Sequence, residues 1–301
     1  MEHLKTFLDY VIPGISLGAI YALIALGFTI IYRVTEVINF AQGEFVMLGA
    51  MCMSTFTRSL GLPIPVAFLL SVMLVTLVGA LMEWLTIRPI RKASVVSMII
   101  VTIGCSIFIR GVTMFLWGKN ALPWLEIGSQ EPILLPGDIR ISPATIWILV
   151  ITLSVVLLAH LFFEYTFVGK SMTACAINRK AAHLMGIPVE RMVLYTFAMS
   201  GALGAVSGVV ISLKFFPVYD MGVSLGLKGF CAAILGGLGN NLGSVIGGLV
   251  LGLLESLGVG FLSRVAHISS GYKDVIALLV LVFVLVIKPS GILGARSSEK
   301  V

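Results

Sequence analysis

Apolar residues run along this chain in blocks, approximately 10 to 32, 37 to 57, 63 to 86, 94 to 117, 143 to 163, 191 to 213, 226 to 258 and 273 to 288. About 20 residues of helix cross a bilayer, so nearly every block is long enough to span one. The pattern predicts an all-α, polytopic transmembrane helical bundle of about eight spans. The chain, residues 1–301, reads as a single membrane domain. The first block is too long, and too poor in a cleavage signature, for a removable leader, and is expected to stay as a span.

Two blocks are interrupted by polar residues. Segment 37 to 57 opens on INFAQGEF, which puts Asn39, Gln42 and Glu44 at membrane depth. Segment 226 to 258 contains GGLGNNLGS, with Asn240 and Asn241 in a run too long for one crossing. Backbone that unwinds at membrane depth is tolerated only inside protein or beside a wet cavity. Both segments are therefore candidate broken helices, and counting their pieces separately raises the span number to between eight and ten. A pair of interrupted segments near opposite ends of a transporter chain points to a substrate path, often through inverted repeats. On that ground Asn39, Gln42, Glu44, Asn240 and Asn241 are candidates to line or gate a translocation path. The alternative is that these amides satisfy freed backbone groups and never meet a substrate.

Charge changes the picture in one respect, by orienting the chain. Charged residues are only 11% of the sequence against 58% hydrophobic, and the net charge is +6. The basic residues sit in short loops and not on one face, which argues against a nucleic-acid partner and for the positive-inside bias. Arg88, Arg91 and Lys92, then Lys170, Arg179, Lys180 and Arg191, then Lys288, Arg296 and Lys300 mark cytoplasmic loops. Glu126, Glu131 and Asp138 mark an external one. Reaching a cytoplasmic tail after span 191 to 213 then requires three further crossings, so segment 226 to 258 is expected to cross as two pieces around Asn240. Glu44, Glu83, Arg110 and Glu255 fall in or near the membrane, where an ionisable group is costly and by default functional. Glu83 reads as interfacial and Glu255 as paired or near a surface.

Small residues recur every four positions at Gly239, Gly243 and Gly247, at Gly204 and Gly208, and at Gly14 and Gly18. In lipid such faces let helices approach closely, so packing is their expected role. Cys52, Cys105, Cys175 and Cys231 are isolated and read as small hydrophobes, and no Cys/His cluster suggests a metal. Gly169-Lys170-Ser171 lacks the preceding glycine of a phosphate loop, since Glu164 stands there. No ATP site or catalytic motif is expected in the chain.

The loop 164–191 mixes small, basic and apolar residues in KSMTACAINRKAAHLMGI, a short amphipathic helix with a stop at Gly186-Ile187-Pro188. Its Lys180-Ala181-Ala182-x-x-x-Gly186 resembles the E-A-A-x-x-x-G element through which permeases of ATP-binding-cassette importers engage their ATPases, with Lys in place of Glu. Gly14 to Met51, GISLGAIYALIALGFTIIYRVTEVINFAQGEFVMLGAM, and Gly226 to Ser256, GLKGFCAAILGGLGNNLGSVIGGLVLGLLES, resemble the two end signatures of bacterial branched-chain amino acid permeases of the LivH type. Gln42 stands where many such permeases carry His. The resemblance implies one permease subunit of an importer in the bacterial inner membrane. Its partners would be a second, LivM-type permease, two cytoplasmic ATPases that use the ATP, and an external binding protein. Urea and short-chain amide permeases share much of the pattern, and an ion-coupled carrier using Glu44 and Glu255 is the competing class.

Overall fold

A computed structural model describes residues 2–91, 93–123, 125, 131–135, 139–265, 273–288 and 290–294. Of the charges used above, Lys92, Glu126, Asp138, Arg296 and Lys300 lie outside these residues. The regular structure of the described residues is helical apart from a short antiparallel ribbon, β1 (Ile133–Leu135) with β2 (Ile139–Ile141), in which Ile133 faces Ile141.

The helices are α1 (Glu2–Thr35), α2 (Gln42–Ser54), α3 (Ile64–Met82), α4 (Arg88–Ile90), α5 (Val95–Trp117), α6 (Pro143–Tyr165), α7 (Phe167–Ile177), α8 (Arg179–Leu184), α9 (Val189–Ile211), α10 (Met221–Gly236), α11 (Asn241–Val265) and α12 (Lys273–Ile287). Single π-helical stretches, Thr55–Ser59 and Glu83–Ile87, follow α2 and α3. Among the described residues, six segments are long and apolar enough to cross a membrane: Phe7–Thr35, Ile64–Ile90, Val95–Trp117, Pro143–Tyr165, Val189–Ile211 and Asn241–Gly260. α1 and α9 are largely enclosed by protein, whereas α3, α5 and α6 leave most of their apolar surface uncovered, as a lipid-facing rim does.

Glycine sets the centre of the bundle. α1 and α11 run antiparallel in close contact: a Cβ on Gly14 would meet the Leu253 Cα at 3.2 Å, and one on Gly18 the Leu249 Cα at 2.8 Å. Gly204 lies against Phe45, and Gly208 against Val46 and Ala50, which press α2 onto α9. Gly243 and Gly247 lie against Gly236 and Ala232 and close α10 on α11. These contacts fit the small-residue packing expected in lipid. Gly239 differs: its φ of +91° makes it a turn residue between α10 and α11, and nothing comes closer to its missing Cβ than the Arg33 Cγ at 3.8 Å.

Two broken helices dominate the topology, and only one is where the polar pattern put it. After α1 the chain leaves the helix at Glu36, with φ of +58°, and is non-helical until α2 begins at Gln42. After α9 it is irregular over 212–220 before α10 begins at Met221. The second break is therefore SLKFFPVYD and not GGLGNNLGS, which is simply the turn joining α10 to α11. After α9 the chain runs along the bundle as 212–236, α11 and α12, of whose described residues only Asn241–Gly260 is long and apolar enough by itself to cross a membrane. The interruption precedes α10. Phe215, Phe216 and Pro217 make that stretch look apolar, so hydropathy conceals it.

Each break follows a long helix and leads into a short one. α2 runs parallel to α9 and α10 parallel to α1, and because α1 and α9 run in opposite senses so do the two short helices, which gives the two halves an inverted relationship. Arg33, stacked over Phe163, marks one end of the bundle, and Arg88 and Arg91, both paired with Glu190, mark the same end. The positive-inside bias makes this end cytoplasmic.

Candidate translocation site

The first turns of α2 and α10 meet at the middle of the bundle. Ser200, the middle residue of α9, bonds Gln42, and Ser106, the middle residue of α5, bonds Glu44. Gly43 packs against the carbonyl of Gly222, and a Cβ on Gly43 would meet the Gly226 Cα at 2.8 Å. Two helix amino termini, each carrying a partial positive charge, thus face one another at membrane depth.

The first break satisfies its own backbone through side chains. The Asn39 Oδ1 accepts the Ala41 N–H at 3.0 Å, the Thr102 Oγ1 accepts the Phe40 N–H at 3.2 Å, and the Thr35 Oγ1 accepts the Val37 N–H at 3.2 Å. This is the condition for an irregular segment to survive away from water. The Asn39 Nδ2 is buried and has no hydrogen-bond partner.

Gln42 is fully engaged. Its Nε2 donates to the Ser200 carbonyl at 3.2 Å, and the single Ser200 hydroxyl proton is shared between the Gln42 Oε1 and the Gly27 carbonyl, the latter at 3.0 Å. Gln42 therefore ties α2 to α9 and, through Ser200, to α1. Its amide is committed to structure.

Glu44 is different. It is 1% exposed, its Oε1 accepts from the Ser106 hydroxyl at 2.9 Å, and its Oε2 has no partner. A Cβ on Gly222 would stand 2.5 Å from that free oxygen, so the carboxylate occupies the room a side chain would fill. Arg110, one turn beyond Ser106, and the exposed Asp220 before α10 are close enough to act on Glu44 electrostatically. Asp220, Ser106 and Ser200 were not among the residues expected from the sequence. A serine and an arginine four residues apart in the largely apolar α5 are the signal that points to two members of the group.

Asn240 and Asn241 are not part of this group. They sit at the cytoplasmic turn, where the Asn240 Oδ1 accepts the Gly243 N–H at 3.0 Å and its Nδ2 donates to the Leu293 carbonyl at 3.0 Å. Glu255 is buried and paired. Its Oε1 meets the Lys228 Nζ at 2.9 Å, its Oε2 accepts from the Tyr21 hydroxyl at 2.9 Å, and Lys228 stands 5.6 Å over the Tyr21 ring.

At the cytoplasmic face, Asn178 caps α8, its Oδ1 accepting the Ala181 N–H at 3.0 Å. Lys180 and Ala181 are exposed, while Ala182 is buried and anchors the short helix. Gly186 ends it at φ +83°, donating to the His183 carbonyl at 3.0 Å. Ile177, Leu184 and Met185 are left exposed around it. Gly169-Lys170-Ser171 lies within α7, whose first turn is capped by the Thr166 hydroxyl. All four cysteines are free thiols, and among the described residues no group of three or more His, Cys, Asp or Glu side chains is arranged to hold a metal.

Residues 10–285 match the family described as branched-chain amino acid transport system, permease component. The high-affinity branched-chain amino acid transport system permease protein LivH of Salmonella typhimurium is 34% identical, over the whole of this chain and 99% of the relative. The corresponding BraD protein of Pseudomonas aeruginosa is 33% identical over the full length of both. The probable LivH protein of Methanocaldococcus jannaschii is 30% identical over 90% of this chain and 88% of its own length. The family match over residues 10–285, with relatives 33–34% identical over the full length, means that the chain belongs to the family of branched-chain amino acid transport system permease components.

Proposed function

We propose that the chain is one of the two transmembrane subunits of an ATP-binding-cassette importer that carries branched-chain amino acids across the bacterial inner membrane. The observation that carries this reading is the convergence of two half-helix amino termini on a buried carboxylate with one free oxygen, in a chain whose relatives are named for that transport. A zwitterion needs transient partners of both signs along a path that does not trap it. Helix amino termini and Arg110 suit its carboxylate, and Glu44 and Asp220 suit its ammonium. Asn39 contributes a free donor beside them. Gln42 holds the gate's frame and does not contact substrate. Asn240 and Asn241 serve the cytoplasmic turn.

The chain binds no cofactor in this reading, and ATP is consumed by two partner ATPases docked at α8. Lys180, Ala181, Ala182 and Gly186 form that contact, and closure of the ATPases tilts the breaks beside α2 and α10 between outward and inward states. A LivM-type permease forms the other half of the pore, and an external binding protein supplies the substrate and most of the affinity. Vesicles reconstituted with all the subunits should take up leucine when ATP is enclosed, with no proton gradient. Uptake that persists without the ATPases and collapses with the gradient would falsify the importer reading in favour of an ion-coupled carrier. Uptake of urea or short amides, with leucine ignored, would overturn the substrate alone.

A further inference from the structure

A cleft of about 730 Å³ opens at the cytoplasmic end of the bundle, away from the meeting of α2 and α10. α1 forms its floor, and α6 and α11 form its walls. Leu26, Ala159 and Val245 line its deeper part, while Arg33, Glu164 and Asn241 stand at its mouth. At 1.5 Å per residue, Arg33 lies about 10 Å beyond Leu26 along α1, and Glu164 about 7.5 Å beyond Ala159 along α6. The lining thus passes from hydrocarbon to charge in the direction, and over the distance, in which a leaflet passes from acyl chain to headgroup.

The mouth has unmet polar capacity of both signs. The Arg33 guanidinium stacks 5.7 Å over the Phe163 ring, but no acceptor among the described residues takes its hydrogen bonds. Arg33 is half-buried at this mouth. The Asn241 Oδ1 is a buried acceptor with no partner. Glu164 is exposed at the rim and close enough to Arg33 to act on it electrostatically, yet no ion pair joins them.

We propose that this cleft is a binding site for one phospholipid of the cytoplasmic leaflet whose headgroup carries both a phosphate and a primary amine. The phosphate sits on Arg33, whose planar fork suits a phosphate oxygen pair. The ammonium lies between Glu164 and the Asn241 Oδ1, and an acyl chain runs along Leu26, Ala159 and Val245. A small soluble zwitterion satisfies the mouth but leaves the apolar depth empty. A purely anionic headgroup leaves Glu164 and Asn241 without a donor. The inference rests on the membrane location of the chain and not on its substrate.

The test uses the assembled permease complex, purified in mild detergent, stripped of lipid and titrated with phosphatidylethanolamine while bound lipids are counted by native mass spectrometry. Wild type should hold one molecule more than Arg33→Gln at equal lipid, with about tenfold weaker binding in the variant, equivalent to about 1.4 kcal/mol. Val245→Phe, which fills the apolar depth and leaves the mouth untouched, should lose the same molecule. Phosphatidylcholine, whose amine donates no hydrogen bond, should bind several-fold more weakly. Equal retention by wild type and both variants overturns the site. Equal binding of phosphatidylcholine or phosphatidylglycerol overturns the headgroup assignment. Displacement of the lipid by millimolar free leucine or phosphoethanolamine overturns the lipid in favour of a soluble zwitterion.

Discussion

The Lys228 ammonium meets the Glu255 carboxylate at 2.9 Å inside the bundle, with Glu255 only 2% exposed and the Tyr21 hydroxyl closing its second oxygen. The pair joins α10 to α11, and Tyr21 adds α1. It therefore holds α10 to the long antiparallel pair beside it. Removing one partner leaves an uncompensated charge, which typically costs about 3–5 kcal/mol when the pair is buried. Lys228→Met alone, or Glu255→Leu alone, should sharply lower the melting temperature of the purified complex. The double variant should recover much of the loss, since an apolar pair of similar size restores packing without orphaned charge. Equal melting of the single and double variants would show that the two side chains do not depend on each other.

Glu44→Gln should leave the complex assembled, because a neutral amide can still accept from Ser106. Initial leucine uptake should fall by about tenfold or more, the scale on which a charged partner for an ammonium contributes. ATP hydrolysis stimulated by the loaded binding protein should persist. The conservative Glu44→Asp should recover part of the rate. Wild-type uptake in the amide variant removes Glu44 from the path.

These two acidic residues show how far sequence reasoning reaches. Hydropathy blocks reveal the membrane bundle because each span must bury its own backbone bonds, and INFAQGEF reveals its break because polar residues cannot sit at that depth without a reason. The second break is hidden because 212–220 carries Phe215, Phe216 and Pro217, which read as membrane, while the amide-rich turn after α10 reads as a break. Periodicity records which residues face lipid but not which distant helices meet. The facing of Ser106 to Glu44, 62 positions apart, and of Lys228 to Glu255 depends on α5, α10 and α11 folding back beside the first two helices. The small-residue spacing shows that helices pack closely, but not that Gly239 belongs to a turn.

Gly43 and Gly222 set how closely the two half-helices approach. A methyl group at Gly43 meets the Gly226 Cα at 2.8 Å, and at Gly222 it meets the Gly43 carbonyl at the same distance. Both contacts are with backbone, so no rotamer change relieves them. Gly43→Ala and Gly222→Ala should each push α2 from α10 and destabilise the complex by about 1–3 kcal/mol, the range for overpacking. Leucine uptake should fall with it. Gly104→Ala, where nothing lies within 4 Å, is the matched control and should be silent in both measurements.

Gly186 tests the coupling assignment separately from the pore. Its φ of +83° is reached by glycine without penalty, whereas a β-branched residue there is strained by about 1–3 kcal/mol. Its missing side chain faces open space, so the effect of Gly186→Val comes from backbone strain and added bulk on the exposed surface. The variant should disturb the end of α8 and the contact formed by Lys180 and Ala181, while the central site around Glu44 stays intact. In reconstituted vesicles, basal ATP hydrolysis by the ATPases should survive, stimulation by the binding protein should be lost, and uptake should fall in proportion. Asn178→Ala, which removes the cap at the other end of α8, should destabilise that helix by about 1 kcal/mol and weaken coupling in the same direction. If both variants keep full stimulation and uptake, the ATPases engage another part of the cytoplasmic face, and the exposed Ile177, Leu184 and Met185 need a different explanation.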